Sequence, residues 1–255
     1  MSASHPGASG EGQRHATVVV ATYNECENVR RLIPELLDRD HRLRVIVVDD
    51  ASPDGTGAAV EEAGASFPGR VRLVSRAAKL GYGSAFVAGF RTALESEPDV
   101  VVSMDADFSH DPAALPALLA ALDGHDVVIG SRYLEGMRIL NWSIWRMMLS
   151  RAANAYVKLL LPSPITDRTS GYRAYRSEVL RRIDFGAAES NGYAFLVEIL
   201  EMVIAGGFRV AEAPIVYEDR QHGRSKMDGR VIVEAAWRPW LLLLRRLRDQ
   251  LQRRP

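Results

Sequence analysis

Apolar residues in this chain come in short runs separated by longer stretches of helical period. Thr17 to Ala21 is an apolar, β-branched run that predicts a buried strand. The polar Thr22-Tyr23-Asn24-Glu25 follows, and Glu27 to Asp38 then carries Val29, Leu32, Ile33, Leu36 and Leu37 at helical spacing. Leu43 to Val48 predicts a second strand ending in Asp49-Asp50, and the dense turn Ala51 to Thr56 leads into a helix over 57–65. Val71 to Ser75 predicts a third strand. Gly81-Tyr82-Gly83-Ser84 opens a helix that runs through Leu94. Val100 to Met104 predicts a fourth strand, Pro112 to Leu122 a helix, and Asp126 to Gly130 a fifth strand. Strands alternating with helices predict an α/β fold with a mostly parallel, doubly wound sheet flanked by helices.

Beyond Gly130 the alternation breaks down. Trp142 to Leu161 has a helical pattern with Arg146, Ser150 and Asn154 four residues apart, hence on one face. Thr166 to Ala174 is polar and contains glycine. Asn191 to Ala205 becomes helical and carries Glu198 and Glu201. Phe208 to Tyr217 predicts a strand interrupted by Pro214, Arg220 to Lys226 a basic loop, and Val231 to Leu251 a helix with arginines and a strongly apolar side. This divides the chain into a disordered tail over 1–15, one domain over 16–230, and an amphipathic C-terminal helix over 231–255.

Composition narrows the function. The 255 residues are 47% hydrophobic and 25% charged, as in an ordinary globular protein. A formal net charge of zero supplies no bulk basic character for nucleic acid. The single cysteine, Cys26, excludes an intrachain disulfide framework and a cysteine-based zinc site, and fits a reducing, cytoplasmic setting. The apolar run Trp240 to Leu244 is far short of the ~20 residues that span a bilayer.

Candidate chemistry gathers after the strands. Asp105 and Asp107 end the fourth predicted strand with only Ala106 between them. In open α/β sheets ligands bind beyond the carboxyl ends of the strands, and two hard oxygen ligands suit a divalent cation that also holds phosphates. An isolated Asp-x-Asp is equally a helix-capping Asp with a solvated neighbour. The glycines at Gly81 and Gly83 lack the third member and the position of a dinucleotide fingerprint, which weakens a dehydrogenase reading.

The set of motifs is more specific than any one of them. Ala-Thr-Tyr-Asn-Glu at Ala21 to Glu25, Val-Asp-Asp-Ala-Ser-Pro-Asp-Gly-Thr at Val48 to Thr56, and Asp-Ala-Asp-Phe-Ser-His at Asp105 to His110 occur in order. Gly-Ser-Arg-Tyr from Gly130, Thr-Ser-Gly-Tyr-Arg from Thr169, Gly-Tyr-Ala-Phe from Gly192, and Arg220 to Lys226 follow. Over about residues 16–230 the chain resembles the dolichol-phosphate (polyprenol-phosphate) mannose synthases. These are inverting glycosyltransferases with the A-type (GT-A, Rossmann-like) nucleotide-sugar fold. One departure is Ala21, where the family usually has proline.

The resemblance implies transfer of mannose from GDP-mannose to a polyprenyl (dolichyl) phosphate. It implies that Ala21, Tyr23, Glu25, Val48 and Asp50 hold the nucleoside. Asp105 and Asp107, with Ser109, would bring Mg²⁺ or Mn²⁺ to the donor diphosphate, and Ala106 between them belongs to the nucleotide-sugar-binding set. Arg220 and Lys226 would contact the leaving group, and Arg132, Arg146 and Ser150 the acceptor phosphate, with Ser170 and Arg173 lining the same cavity. Asp107 and Arg132 carry the catalytic assignment, and Arg132 also belongs to the donor set. Each has a plainer alternative: Tyr23 packing on the sheet edge, Asp50 capping a helix, Arg220 and Lys226 in a solvated loop, Arg146 lying along an apolar helix. A phosphate monoester is already anionic near neutrality, so no strong general base is needed. His110 is read as supporting the metal loop or capping the next helix.

A polyprenol acceptor implies peripheral contact with the cytoplasmic face of a membrane, directly or through a separate membrane subunit. Trp142, Trp145, Met147, Met148 and Leu149, and Trp237 and Trp240 among the C-terminal arginines, suit such a surface. The tail helix suits core packing or dimerisation equally well. The alternatives for function are a UDP-glucose or UDP-N-acetylglucosamine donor, or a non-catalytic nucleotide-sugar-binding subunit.

Overall fold

Three of the predicted apolar runs pair directly. In the computed structural model, which describes residues 14–134, 136, 138–190, 192–218 and 229–252, β1 (Ala16–Thr22) lies parallel between β2 (Arg44–Asp49) and β4 (Val100–Asp105). β3 (Val71–Ser75) extends the sheet beyond β2. On the other side come β5 (Val127–Ser131), β7 (Arg173–Arg176) and β8 (Val210–Pro214), giving the order β3-β2-β1-β4-β7-β5-β8 among the described residues. A separate short ribbon pairs β6 (Ile139–Leu140) with β9 (Tyr217–Glu218).

Side chains alternate across the sheet, as the pleat requires. Val18 and Val20 face a core shared with α1 (Cys26–Arg39), α2 (Thr56–Ser66) and α4 (Leu115–Ala120). Val19 faces the opposite core, built with α3 (Tyr82–Leu94), α6 (Ser177–Arg182) and α7 (Gly192–Ala205). Helices therefore cover both faces, as the alternation predicted.

Three local expectations are corrected. β7 was not expected, and it runs antiparallel between β4 and β5. Its Arg-Ala-Tyr-Arg sequence hides it, because the arginines are held by backbone carbonyls: Arg173 donates to the carbonyls of Ser170, Leu196 and Arg168, and Arg176 to those of His125 and Leu122. The helix expected over Pro112 to Leu122 is a 3-10 turn, Pro112–Ala114, followed by α4. Pro116 has no N–H to donate and sits in the first turn of α4, where none is required, so the α-helical bonding starts afresh there. The last predicted strand divides at Pro214 into β8 and β9.

α5 (Ile144–Leu160) begins at Ser143, whose hydroxyl accepts the Arg146 N–H. α8 (Gly229–Gln252) seats on α7 through charge. Arg238 reaches Glu189, Arg245 reaches Glu189 and the fully buried Glu198, and Arg246 reaches Glu201. Opposite this seat, Val233, Trp237, Trp240, Leu244, Leu247 and Leu251 are exposed. The helix thus turns arginines inward and a three-and-four-spaced apolar stripe outward. Of the tail expected over 1–15, residues 1–13 lie outside the described residues. Arg14 donates to the Leu119 carbonyl and His15 N–H to Asp99.

Candidate active site

The parallel strands deliver their carboxyl ends to one edge. Ala21 stands level with Val48 on one side and Asp105 on the other. Beyond them the polar turns begin. Asp50 is buried in an ion pair with Arg76, and its second oxygen accepts the Leu80 N–H at 3.1 Å. It therefore holds the loop from Arg76 to Gly81 at the edge instead of capping α2. Tyr23 lies under the Lys79 ammonium, 4.5 Å from the ring centre. Glu25 is largely buried, accepting from Asn28 at 2.6 Å. Val48 offers no side chain to the edge, since it packs fully buried beneath Gly89 of α3.

Asp105 and Asp107 sit in a tightly bonded loop. Tyr82, in the first turn of α3, donates to Asp105 Oδ1 at 3.1 Å. Burial and the adjacent Asp105 carboxylate push its phenol well above the ordinary range, so it stays a donor. The Asp105 N–H donates to Nδ1 of His110 at 3.0 Å. Burial lowers the His110 pKa, keeping the ring neutral and its Nδ1 an acceptor. The ring stacks on Tyr172, with centroids 5.1 Å apart. Ser109, 1% exposed, donates its hydroxyl to Asp107 Oδ1 at 2.6 Å and its N–H to the same atom at 3.2 Å. Its hydroxyl therefore orients Asp107.

Among the described residues no group of three or more His, Cys, Asp or Glu side chains converges as a self-sufficient metal site. Two carboxylates at the open end of a strand are the donor set expected when substrate phosphates supply the remaining ligands to a hard cation. The residues present fit Mg²⁺ or Mn²⁺ in that shared mode.

A second cluster lies beyond β5. Arg132, 3% exposed, meets the fully buried Asp167 through two bonds of 2.6 Å and donates to Thr169 at 2.8 Å. Burial alone would raise the Asp167 pKa, but the Arg132 guanidinium overrides it and holds the carboxyl below its ordinary value. The face of α5 predicted from spacing forms. Arg146 lies 4.4 Å over the Trp142 ring, Ser150 accepts from Tyr133 at 2.7 Å, and Asn154 donates to Thr169 at 3.1 Å. Arg132 lies 5.7 Å from the same indole centre, so Trp142 brings the two arginines together. Tyr217 joins the clusters: its ring is 5.2 Å from Trp142 and 5.8 Å from His110.

Residues 17–184 match the profile of glycosyl transferase family 2. The chain belongs to that family. This glycosyltransferase is 44% identical over 222 residues to the polyprenol monophosphomannose synthase of Mycolicibacterium smegmatis, covering 87% of this chain and 84% of that one. It is 44% identical over 217 residues to the undecaprenyl-phosphate mannosyltransferase of Micrococcus luteus, covering 85% and 89%. Its fold matches the crystal structure of glucosyl-3-phosphoglycerate synthase from Mycobacterium tuberculosis in complex with Mn²⁺, UDP-glucose and phosphoglyceric acid, with a TM-score of 0.65 and 21% identity over 89% of this chain and 80% of that one. The GT-A fold and the likeness to polyprenol-phosphate mannose synthases read from the motifs are both borne out.

Not every residue singled out in the glycosyltransferase faces the edge. Arg220 and Lys226 lie outside the described residues. Arg173 is 1% exposed and bonded to three carbonyls, so it holds the chain in place instead of lining a cavity. Ala106 is buried in the core between the two carboxylates. Arg76, Tyr82, Asp167 and Tyr217 were missed. Tyr82 stands inside the Gly81 to Ser84 stretch, which the sequence marks only as a helix start whose glycines do not make a dinucleotide fingerprint.

Proposed function

We propose that this glycosyltransferase transfers mannose from GDP-mannose to a polyprenyl phosphate with inversion, releasing GDP and polyprenyl phosphomannose. The 44% identity to two polyprenyl-phosphate mannosyl enzymes over most of their lengths carries the reading. Asp105 and Asp107 hold Mg²⁺ or Mn²⁺, which when bound neutralises charge developing on the leaving diphosphate. Crystal structures of the glucosyl-3-phosphoglycerate synthase of like fold, in complex with Mn²⁺ in one and Mg²⁺ in another, support a divalent ion. Tyr82 and Ser109 orient the two carboxylates. Ala21, Tyr23, Glu25 and Asp50 frame the nucleoside, and Arg220 and Lys226 meet the diphosphate.

Arg132, Arg146 and Ser150 grip the acceptor phosphate. Its anionic oxygen attacks the anomeric carbon as the bond to GDP breaks, and alignment replaces general-base catalysis. His110 is unsuited to being that base, because it is buried and its Nδ1 already accepts from Asp105. Among the described residues no helix is long and apolar enough to cross a membrane. Ile144 and Trp145 of α5, each 72% exposed, and the outer stripe of α8 suit the cytoplasmic face of a membrane or a separate membrane subunit. The catalytic unit is then 16–230, with α8 as its surface helix.

Incubating the full chain with Mn²⁺ or Mg²⁺, labelled GDP-mannose and a short polyprenyl phosphate gives a lipid-soluble label under this reading. Labelling from UDP-glucose or UDP-N-acetylglucosamine, with none from GDP-mannose, would overturn the donor assignment. Nucleotide binding without transfer to any acceptor would favour a binding subunit.

A further inference from the structure

The indole of Trp142 contacts both arginines of the acceptor cluster, yet among the described residues its buried Nε1–H has no hydrogen-bond partner. Buried donors are almost always paired, and an unpaired one calls for an explanation. The surroundings define what is missing. The Arg132 and Arg146 guanidiniums, 5.7 Å and 4.4 Å from the ring centre, are donors only. Tyr217 presents its ring, 5.2 Å away and nearly perpendicular. Ser150, one turn along α5 from Arg146, is engaged by Tyr133. An N–H among guanidiniums is complemented by an anionic oxygen. A phosphate monoester has enough terminal oxygens to serve the indole and both arginines at once.

We infer that Trp142 is a further binding residue for the acceptor, its Nε1–H donating to a phosphate oxygen beside Arg132 and Arg146. This rests on the polyprenyl phosphate reading above and deepens it. The Arg146 guanidinium lies over the indole ring, so a phosphate that draws Arg146 comes to the same side chain. The contact with Tyr217, which in turn touches His110, sets the indole between the acceptor cluster and the Asp105 loop. A neutral donor there adds a directed hydrogen bond without adding charge.

Trp142→Phe tests this in the full chain, because it keeps a ring for the arginines and removes only the N–H. With geranyl phosphate as the probe, the variant is expected to bind about tenfold more weakly, the loss typical of one hydrogen bond to a charged group. In transfer assays KM for the acceptor rises in parallel. The kcat and the KM for GDP-mannose stay within about twofold, since the group acts on binding. Unchanged affinity for geranyl phosphate, or a loss confined to kcat, overturns the assignment.

Wild-type protein labelled with ¹⁵N at the tryptophan indoles gives an independent check. One of the four indole N–H signals should move downfield as geranyl phosphate is added; no movement overturns the assignment even if the variant fails to fold. Binding with this shift but without mannose transfer would defeat the donor reading and leave Trp142 in place. No binding of geranyl phosphate by the wild type would defeat both.

Discussion

Arg132 and Asp167 face each other through two parallel hydrogen bonds of 2.6 Å, in a site where Arg132 is 3% exposed and Asp167 is fully buried. Such a pair is hard to dismantle from one side, because the remaining charge stays out of water. Asp167→Asn is expected to lower stability by about 3–5 kcal/mol in urea titrations. Arg132→Lys keeps a charge but cannot match both carboxylate oxygens. It should lose transfer activity by more than its loss of stability explains.

The same pair sets an acid dependence. Burial would raise Asp167, but Arg132 holds its folded pKa below the ordinary 3.8. A depressed carboxyl contributes stability above its unfolded pKa and loses it as pH falls through the folded value. Unfolding free energy of the wild type should therefore fall more steeply from about pH 5 to about pH 3 than that of Asp167→Asn. Parallel pH profiles for the two proteins would contradict the assignment.

Asp107→Asn is expected to fold normally and lose about a hundredfold or more in kcat, the scale for removing a group that stabilises developing charge. Ser109→Ala removes only the hydroxyl that orients Asp107 and should cost less. Circular dichroism beside initial rates over a Mn²⁺ series separates the two effects.

Tyr82 and Gly171 make a paired prediction. A Cβ on Gly171 would lie 2.5 Å from the Tyr82 hydroxyl and 3.7 Å from Asp105 Oδ1. Gly171→Ala should push Tyr82 off Asp105. Tyr82→Phe removes the same hydrogen bond without crowding, at a loss of about tenfold in activity. Since both changes act on one contact, the double variant should be little worse than Gly171→Ala alone. Fully additive losses would place the two residues on separate roles.

How much of this was legible differs between the halves of the chain. β1, β2, β4 and β5 announce themselves because strands buried on both faces are largely apolar, and the edge strand β3 keeps enough apolar positions to be read. β7 does not, because Arg173 and Arg176 are satisfied by carbonyls that arrive from distant segments. Arg146, Ser150 and Asn154 were placed on one face by periodicity alone. That Trp142 would bring Arg146 beside Arg132 was not readable, since no local spacing relates residues on different elements.

The order of motifs and the period of the apolar positions determined the family, the parallel sheet and the edge where its carboxylates gather. These follow from local rules: strand ends carry loops, and loops at one edge carry chemistry. Partner choice was decided only in three dimensions. Arg76 for Asp50, Tyr82 for Asp105 and Asp167 for Arg132 are set by which buried charge or donor a neighbouring element can reach, and burial makes each pairing compulsory. The same holds for α8, whose sequence contains arginines and leucines alike. The carboxylates of α7 and of Glu189, with Leu242 packed beside Val197, decided that the arginines turn inward and the tryptophans face out.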